Sequence, residues 1–229
     1  MRIVLGDGLL GSAVIGETGW QYISRGKDDM DIRRPSTWKS LIPSDTTEII
    51  NLVANTNTYS DDVRGIYDVN YSAVVELVRF CNQRKIKLVH YSTDYVYEGS
   101  SSNANERTKE KPTGHYATSK WLADKYIMQH CNNFLICRGS QKPDPFPYDV
   151  GFTDLMGNFD YPDVIAEIFV KMIVNNAKGL YNIGTETKSI YDLAKQTNSN
   201  VVEGLTPEHM PKDVTMDLTK MNEFLNGCE

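Results

Sequence analysis

The chain has 229 residues, 40% of them apolar and 24% charged, enough for one large domain or a domain with a small appended lobe. That apolar share excludes disordered and fibrous classes. A net charge of −6 gives no general attraction to nucleic acid or to an anionic membrane surface, so any phosphate must be held at a local site.

The first sixteen residues, MRIVLGDGLLGSAVIG, carry an acid and several glycines inside the apolar stretch and read as strand, turn and helix, not as a leader. No apolar run approaches the ~20 residues of a membrane span. The four cysteines, Cys81, Cys131, Cys137 and Cys228, form no CxxC pair, and Cys81 and Cys137 sit in apolar runs that suggest buried thiols. The four histidines, His90, His115, His130 and His209, have no metal-binding spacing, and no metal site is expected. We expect a soluble cytoplasmic protein.

Strands are predicted at residues 2–5, 20–24, 48–53, 87–91 and 134–138. Between the third and fourth, residues 69–83 place Val74, Leu77, Val78 and Cys81 at helical spacing. Between the fourth and fifth, residues 116–130 carry a stripe of Trp121, Leu122, Tyr126 and Ile127. Nearly all-apolar strands alternating with amphipathic helices indicate an α/β fold, a doubly wound parallel sheet covered on both faces, over residues 1–138. Residues 139–163 are loop-rich, and Pro143, Pro145 and Pro147 forbid regular helix there. A helix at 163–174, a strand at 180–183, a helix at 189–196 opened by Ser189, a turn at Met210-Pro211 and a helix at 218–225 follow. Residues 139–229 thus read as a small C-terminal lobe packed as one unit with the first part.

Gly6, Gly8 and Gly11, in the order GxGxxG, follow the first strand and open a helix. Such a turn needs glycine to bend and to let backbone approach a pyrophosphate, and the helix N-terminus offers N–H groups to the anion. This is the Rossmann-like context for a dinucleotide. The end of the second strand reads Ser24-Arg25-Gly26-Lys27 where NAD-binding chains carry an acid. An arginine suits a 2′-phosphate, so Ser24 and Arg25 favour NADP(H), with NAD(H) possible; Asp28, Asp29 and Asp31 lie just beyond.

Tyr116 and Lys120, four residues apart, share one helix face. A phenol is a poor base at neutral pH but a usable acid, and a nearby cation lowers its pKa. A carbonyl reduced by hydride needs such a proton donor. At the carboxyl end of the fourth strand, where ligands bind in open α/β sheets, Ser92 and Thr93 each offer a hydroxyl. Tyr95 and Tyr97 suit either stacking on a base or core packing, and residues 106–111, of mixed charge, read as a solvated loop.

The glycine turn, the run STDYVYEG at 92–99 and YATSK at 116–120 resemble the extended short-chain dehydrogenase/reductases, and within them the dTDP-4-dehydrorhamnose reductase family. Asp31-Ile32, NLVAN at 51–55, DVN at 68–70, GLYNIG at 179–184 and SIYDLA at 189–194 extend the likeness over nearly the whole chain. The resemblance implies Thr93, Tyr116 and Lys120 as catalytic trio, with Lys120 lowering the pKa of Tyr116. Gly6, Gly8, Leu9, Leu10 and Gly11 would cradle the pyrophosphate. Asp31 and Ile32 would contact adenine, Val53 and Ala54 the middle of the cofactor, and Tyr116 and Lys120 its ribose. Asp94 and Tyr95 would face substrate. It implies a reductase of the 4-keto group of a nucleotide-linked 6-deoxysugar and a possible homodimer through the helices at 69–83 and 116–130. A regulatory NADP-binding subunit, or an epimerase or dehydratase, is the alternative; tyrosine after Asp94, where dehydratases carry a second acid, favours reduction. The first helix and residues 139–163 are short for the family, so the lobe that would bind substrate reads as reduced.

Overall fold

Each predicted strand forms, and all but the edge strand at 21–23 are buried on both sides of the pleat. The computed structural model describes residues 1–58, 61–98, 100, 102–208 and 210–228. Gly99, which ends the 92–99 run, and His209 lie outside the described residues. In chain order the main elements are β1 (Arg2–Leu5), α1 (Leu9–Thr18), β2 (Gln21–Ile23), the single turn α2 (Arg25–Asp28), β3 (Glu48–Asn51), α3 (Val63–Tyr67), α4 (Ala73–Arg84), β4 (Lys87–Thr93), α5 (His115–His130) and β5 (Phe134–Gly139). Then come β6 (Val150–Phe152), β7 (Met156–Gly157), α6 (Pro162–Val174), β8 (Gly179–Asn182), β9 (Lys188–Ser189), α7 (Ile190–Ala194), β10 (Val202–Gly204) and α8 (Thr219–Asn226).

The main sheet is parallel throughout, in the order β2-β1-β3-β4-β5-β8. Alternate residues of each strand feed opposite cores. Val4, Ile50, Val89 and Leu135 pack with α1 and α6 residues such as Val14, Phe169 and Ile173. Ile3, Ile49, Leu88 and Ile136 pack with Val74, Leu77, Val78 and Cys81 of α4 and Ile127 of α5. Cys81 and Cys137 are buried free thiols, as expected. No helix of the described residues is long and apolar enough to cross a membrane.

Three expectations change. First, the sheet does not stop at residue 138: α6 packs against α1 and β8 pairs with β5, so the division at 138/139 cuts through the sheet. The separate lobe is what remains around β6, β7, β9, β10 and α7, with its own core of Phe146, Leu155, Phe159, Tyr161, Ile190 and Leu193. Second, the helix predicted from 69 begins earlier. It runs from α3 through a π turn, Asp68–Ser72, into α4. Third, α5 turns Ala117, Ser119, Lys120, Ala123, Asp124 and Ile127 inward, leaving Trp121, Leu122 and Tyr126 half-buried at its flank. The expected stripe fails because polar partners wait on the sheet. Lys120 bonds a β4 carbonyl, and the wholly buried Asp124 accepts from Arg138 of β5 at 2.9 Å.

Candidate active site

The strand order reverses between β1 and β3, which opens a crevice above the carboxyl ends of the sheet. Gly6 follows β1 with φ +96°, a conformation that glycine adopts without penalty. A Cβ on Gly11 would lie 2.2 Å from the Gly6 carbonyl oxygen, so only glycine lets α1 approach the strand this closely. A Cβ on Gly8 would meet nothing within 4 Å. Gly8 caps α1 without a side-chain hydrogen bond, leaving the first N–H groups of the helix for an anion.

Two cavities of about 400 Å³ each meet at Gly8, Leu52 and Ala54. One holds Gly6, Arg25, Asp31, Ile32, Arg33 and Val53. The other holds Leu9, Leu10, Gly11, Ser92, Thr93, Tyr95, Tyr116 and Lys120, with Ser140, Gln141 and Lys142 after β5. One groove therefore gathers nearly every residue singled out from sequence. Its dimensions and its bare Gly8 fit a dinucleotide laid across α1.

Two of those residues fall outside it. Ser24 is buried and spent as the cap of α2, accepting the Lys27 N–H at 3.2 Å, so it does not face the groove. Asp94 is 1% exposed and does not line the cavity. It accepts the Thr93 hydroxyl at 3.1 Å, while its other oxygen has no partner among the described residues. Burial pushes its carboxyl up to about 6, against the pull of the Lys142 charge.

Asp31 stays at the adenosine end, but its carboxylate is already engaged. Arg33 binds it at 2.9 Å through both Nε and an Nη, and Arg34 adds a bond of 3.0 Å. Those bonds, led by Arg33, hold its pKa far below the ordinary carboxylate value. Arg33 itself lines the groove beside Arg25, a position that sequence reasoning did not single out.

At the other end, α5 delivers Tyr116 and Lys120 to the carboxyl end of β4. Burial pushes the Tyr116 phenol up to about 12, partly offset by a hydrogen bond with the Thr93 hydroxyl. Lys120 lies one helical turn further along the same cavity wall. Its Nζ is turned to the Tyr91 carbonyl at 2.7 Å and to His90 at 3.3 Å. Between the two hydroxyls left open by sequence, Thr93 touches Tyr116, whereas the buried Ser92 Oγ lacks a partner among the described residues. Tyr95 meets Tyr116 edge-on at 6.4 Å and packs against the lobe core. Tyr97 belongs to the core, its hydroxyl accepting from Arg138 at 2.7 Å.

Several supports were invisible in the linear sequence. Asn70, in the π turn, bonds the Asn55 backbone at both edges of its amide and donates to Ser119 Oγ at 3.0 Å, tying the β3 loop to α5. Residues 106–111 are more than a solvated loop. Glu106 accepts the Asn182 N–H, and Glu110 binds both Lys125 and Arg138 at 2.8 Å. Burial alone would raise the Glu110 pKa, yet those two cations hold it at about 2.

Comparison with known proteins agrees with this arrangement. Three solved structures superpose on nearly all of the chain. A hypothetical dTDP-4-dehydrorhamnose reductase from Sulfolobus tokodaii gives a TM-score of 0.83 at 21% identity, covering 97% of this chain and 94% of that one. The dTDP-4-dehydrorhamnose reductase of Bacillus anthracis, in complex with NADP, gives 0.82 at 20%, covering 99% and 91%. That of Clostridium acetobutylicum gives 0.81 at 18%, covering 97% and 92%. The model of the RmlD substrate binding domain matches residues 1–141, the stretch that supplies the glycine turn, Thr93, Tyr116, Lys120 and the first residues after β5. With that match spanning more than half of its length, the chain belongs to the RmlD substrate binding domain family.

Proposed function

We propose that the chain is an NADP(H)-preferring reductase of the 4-keto group of a nucleotide-linked 6-deoxysugar, with dTDP as the nucleotide. The observation that carries this reading is the convergence of Thr93, Tyr116 and Lys120 on a cavity continuous with the groove above α1. Family membership and the NADP complex of the Bacillus anthracis protein support it. Bound NADPH would supply the hydride.

The protein's own groups do the rest. Gly8 and the N-terminus of α1 would receive the pyrophosphate. Arg25 and Arg33 would take the 2′-phosphate, with Asp31 neutralised by its own arginines so that it does not repel it. Tyr116 would give its proton to the carbonyl oxygen. A phenol held at about 12 is protonated throughout the neutral range, which suits an acid and not a resting base. Thr93 would orient that phenol and the substrate oxygen. Ser92 Oγ, without a partner among the described residues, offers a further bond to a ligand in the same cavity.

The test is NADPH oxidation by the purified protein with a dTDP-4-keto-6-deoxysugar. Turnover should appear and should fall by roughly 10²–10⁴-fold in Tyr116→Phe. Undiminished turnover in that variant would remove Tyr116 from the mechanism, and no oxidation with any nucleotide sugar would refute the activity.

A further inference from the structure

Lys120 lines the cavity, and behind it runs a buried line of polar groups that do not. Asn51 at the end of β3, His90 in the middle of β4 and Lys120 on α5 are 1%, 0% and 2% exposed. Asn51 is oriented from its own chain: its Oδ1 accepts the Val53 N–H at 3.3 Å. The amide nitrogen is left facing His90 Nδ1 at 3.1 Å. An NH₂ group only donates, so Nδ1 must be the bare nitrogen of the ring. A neutral imidazole with a bare Nδ1 carries its proton on Nε2. That Nε2 stands 3.3 Å from Lys120 Nζ. An ammonium has three protons and no lone pair, so here donor meets donor. A neutral amine has the lone pair that the Nε2–H requires.

We propose that Asn51 and His90 are positioning residues for Lys120: Asn51 holds His90 in the Nε2–H tautomer, and that tautomer favours the amine form of Lys120 over the ammonium. The inference rests on reading Lys120 as part of the reductase site. The other groups around Nζ set the balance. The Tyr91 carbonyl accepts from either form. Asp124, one turn further along α5, favours the ammonium, but Arg138 of β5 already draws on its carboxylate. Tyr116, on the same helix, is a neutral phenol. Burial acts in the same direction as His90, and the ammonium is pushed down to about 8. The imidazole is itself kept neutral, by burial first and by the neighbouring Lys120 charge second. Lys120 can thus change charge within the working range of the protein and not far above it.

Imidazole ¹⁵N–¹H correlation spectra of the ligand-free protein read the tautomer directly, with His90 assigned by its loss in His90→Phe. The expected result is a protonated Nε2 and a bare Nδ1 from about pH 6 to about pH 9. A protonated Nδ1, or an imidazolium at neutral pH, overturns the proposal, and this outcome needs no substrate. Asn51→Asp supplies the reversed case. A carboxylate accepts from both Val53 N–H and Nδ1–H, so the ring presents a bare Nε2 to Lys120. The alkaline limb of kcat for NADPH oxidation should then rise by about one pH unit with KM little changed. A reversed tautomer with an unmoved limb also overturns the proposal. If no nucleotide sugar is reduced, the ¹³Cε titration of Lys120 must show the same rise, which separates this inference from the activity. If Asn51→Asp does not fold, the spectrum of the parent protein decides alone.

Discussion

Replacing Asp94 by asparagine should make the protein more stable at neutral pH. The parent carboxyl is 1% exposed, with one oxygen bonded to Thr93 and the other unpartnered among the described residues. Burial raises its pKa from 3.8 to about 6. A raised carboxyl binds its proton more tightly in the folded state. Its favourable contribution is complete below pH 3.8 and is lost as pH climbs through 6. At pH 7 and above the penalty is roughly 3 kcal/mol, a large fraction of an ordinary folding free energy. Asparagine keeps the shape and the acceptor for Thr93 but never ionises. Urea unfolding of parent and variant across pH tests this, because the difference cancels every other titrating group. The gap should widen by roughly 2 kcal/mol from pH 4 to pH 7 and stay flat above. A gap that is independent of pH would show that Asp94 titrates normally, and the argument from burial would fall.

Three further substitutions probe other parts of the site. Gly8→Ala adds a Cβ where nothing lies within 4 Å, so stability should change by no more than about 1 kcal/mol while NADPH binding weakens; Gly11→Ala drives a Cβ into the Gly6 carbonyl and should cost about 1–3 kcal/mol or more. Equal stability of the two variants by urea unfolding would contradict the close approach of α1 to β1. Arg25→Ser with Arg33→Ser should raise the NADPH Kd by roughly ten- to a hundredfold and leave NADH nearly unaffected; parallel losses measured by titration of both cofactors would exclude a role in reading the 2′-phosphate. Arg138→Ala strips the wholly buried Asp124 of its cation and leaves Glu110 with Lys125 alone, and should destabilise by about 3–5 kcal/mol, read by the same unfolding assay. A loss below about 1 kcal/mol would mean that water reaches the pair.

The burial of Asp94 also bears on how the site is built. The residue follows Thr93 directly, and Tyr95 beyond it packs against both Tyr116 and the lobe core. A short turn after β4 therefore joins the hydroxyl, the aromatic contact and the lobe. Lys142, from the chain after β5, stands over Phe159 of that lobe core and bonds Ser140 at 3.3 Å. Its ammonium is disfavoured by burial, as Asp94's carboxylate is. An acid and a base that each resist ionising thus interact beside the cavity.

What the sequence determined by itself were the local decisions. Strands apolar on both faces can only form a covered parallel sheet, and GxGxxG after the first of them sets a turn whose geometry glycine alone permits. Tyr116 and Lys120 reach one face because a helix brings residues four apart together. Ser189 opens its helix through a reciprocal bond with Asp192, a pairing confined to four residues. Tertiary structure decided the rest, because it depends on groups distant in sequence. Whether Trp121 or Asp124 turned inward was decided by Arg138 on a neighbouring strand. Asp94, which follows the motif as a substrate residue, was buried by its surroundings. Ser24 was consumed as a cap, Arg33 was carried to the groove by its bond to Asp31, and β8 returned to the sheet from far beyond residue 138. His90 shows the division most plainly. In the sequence it is one apolar-strand histidine without metal spacing; only the fold sets Asn51 against one of its nitrogens and Lys120 against the other.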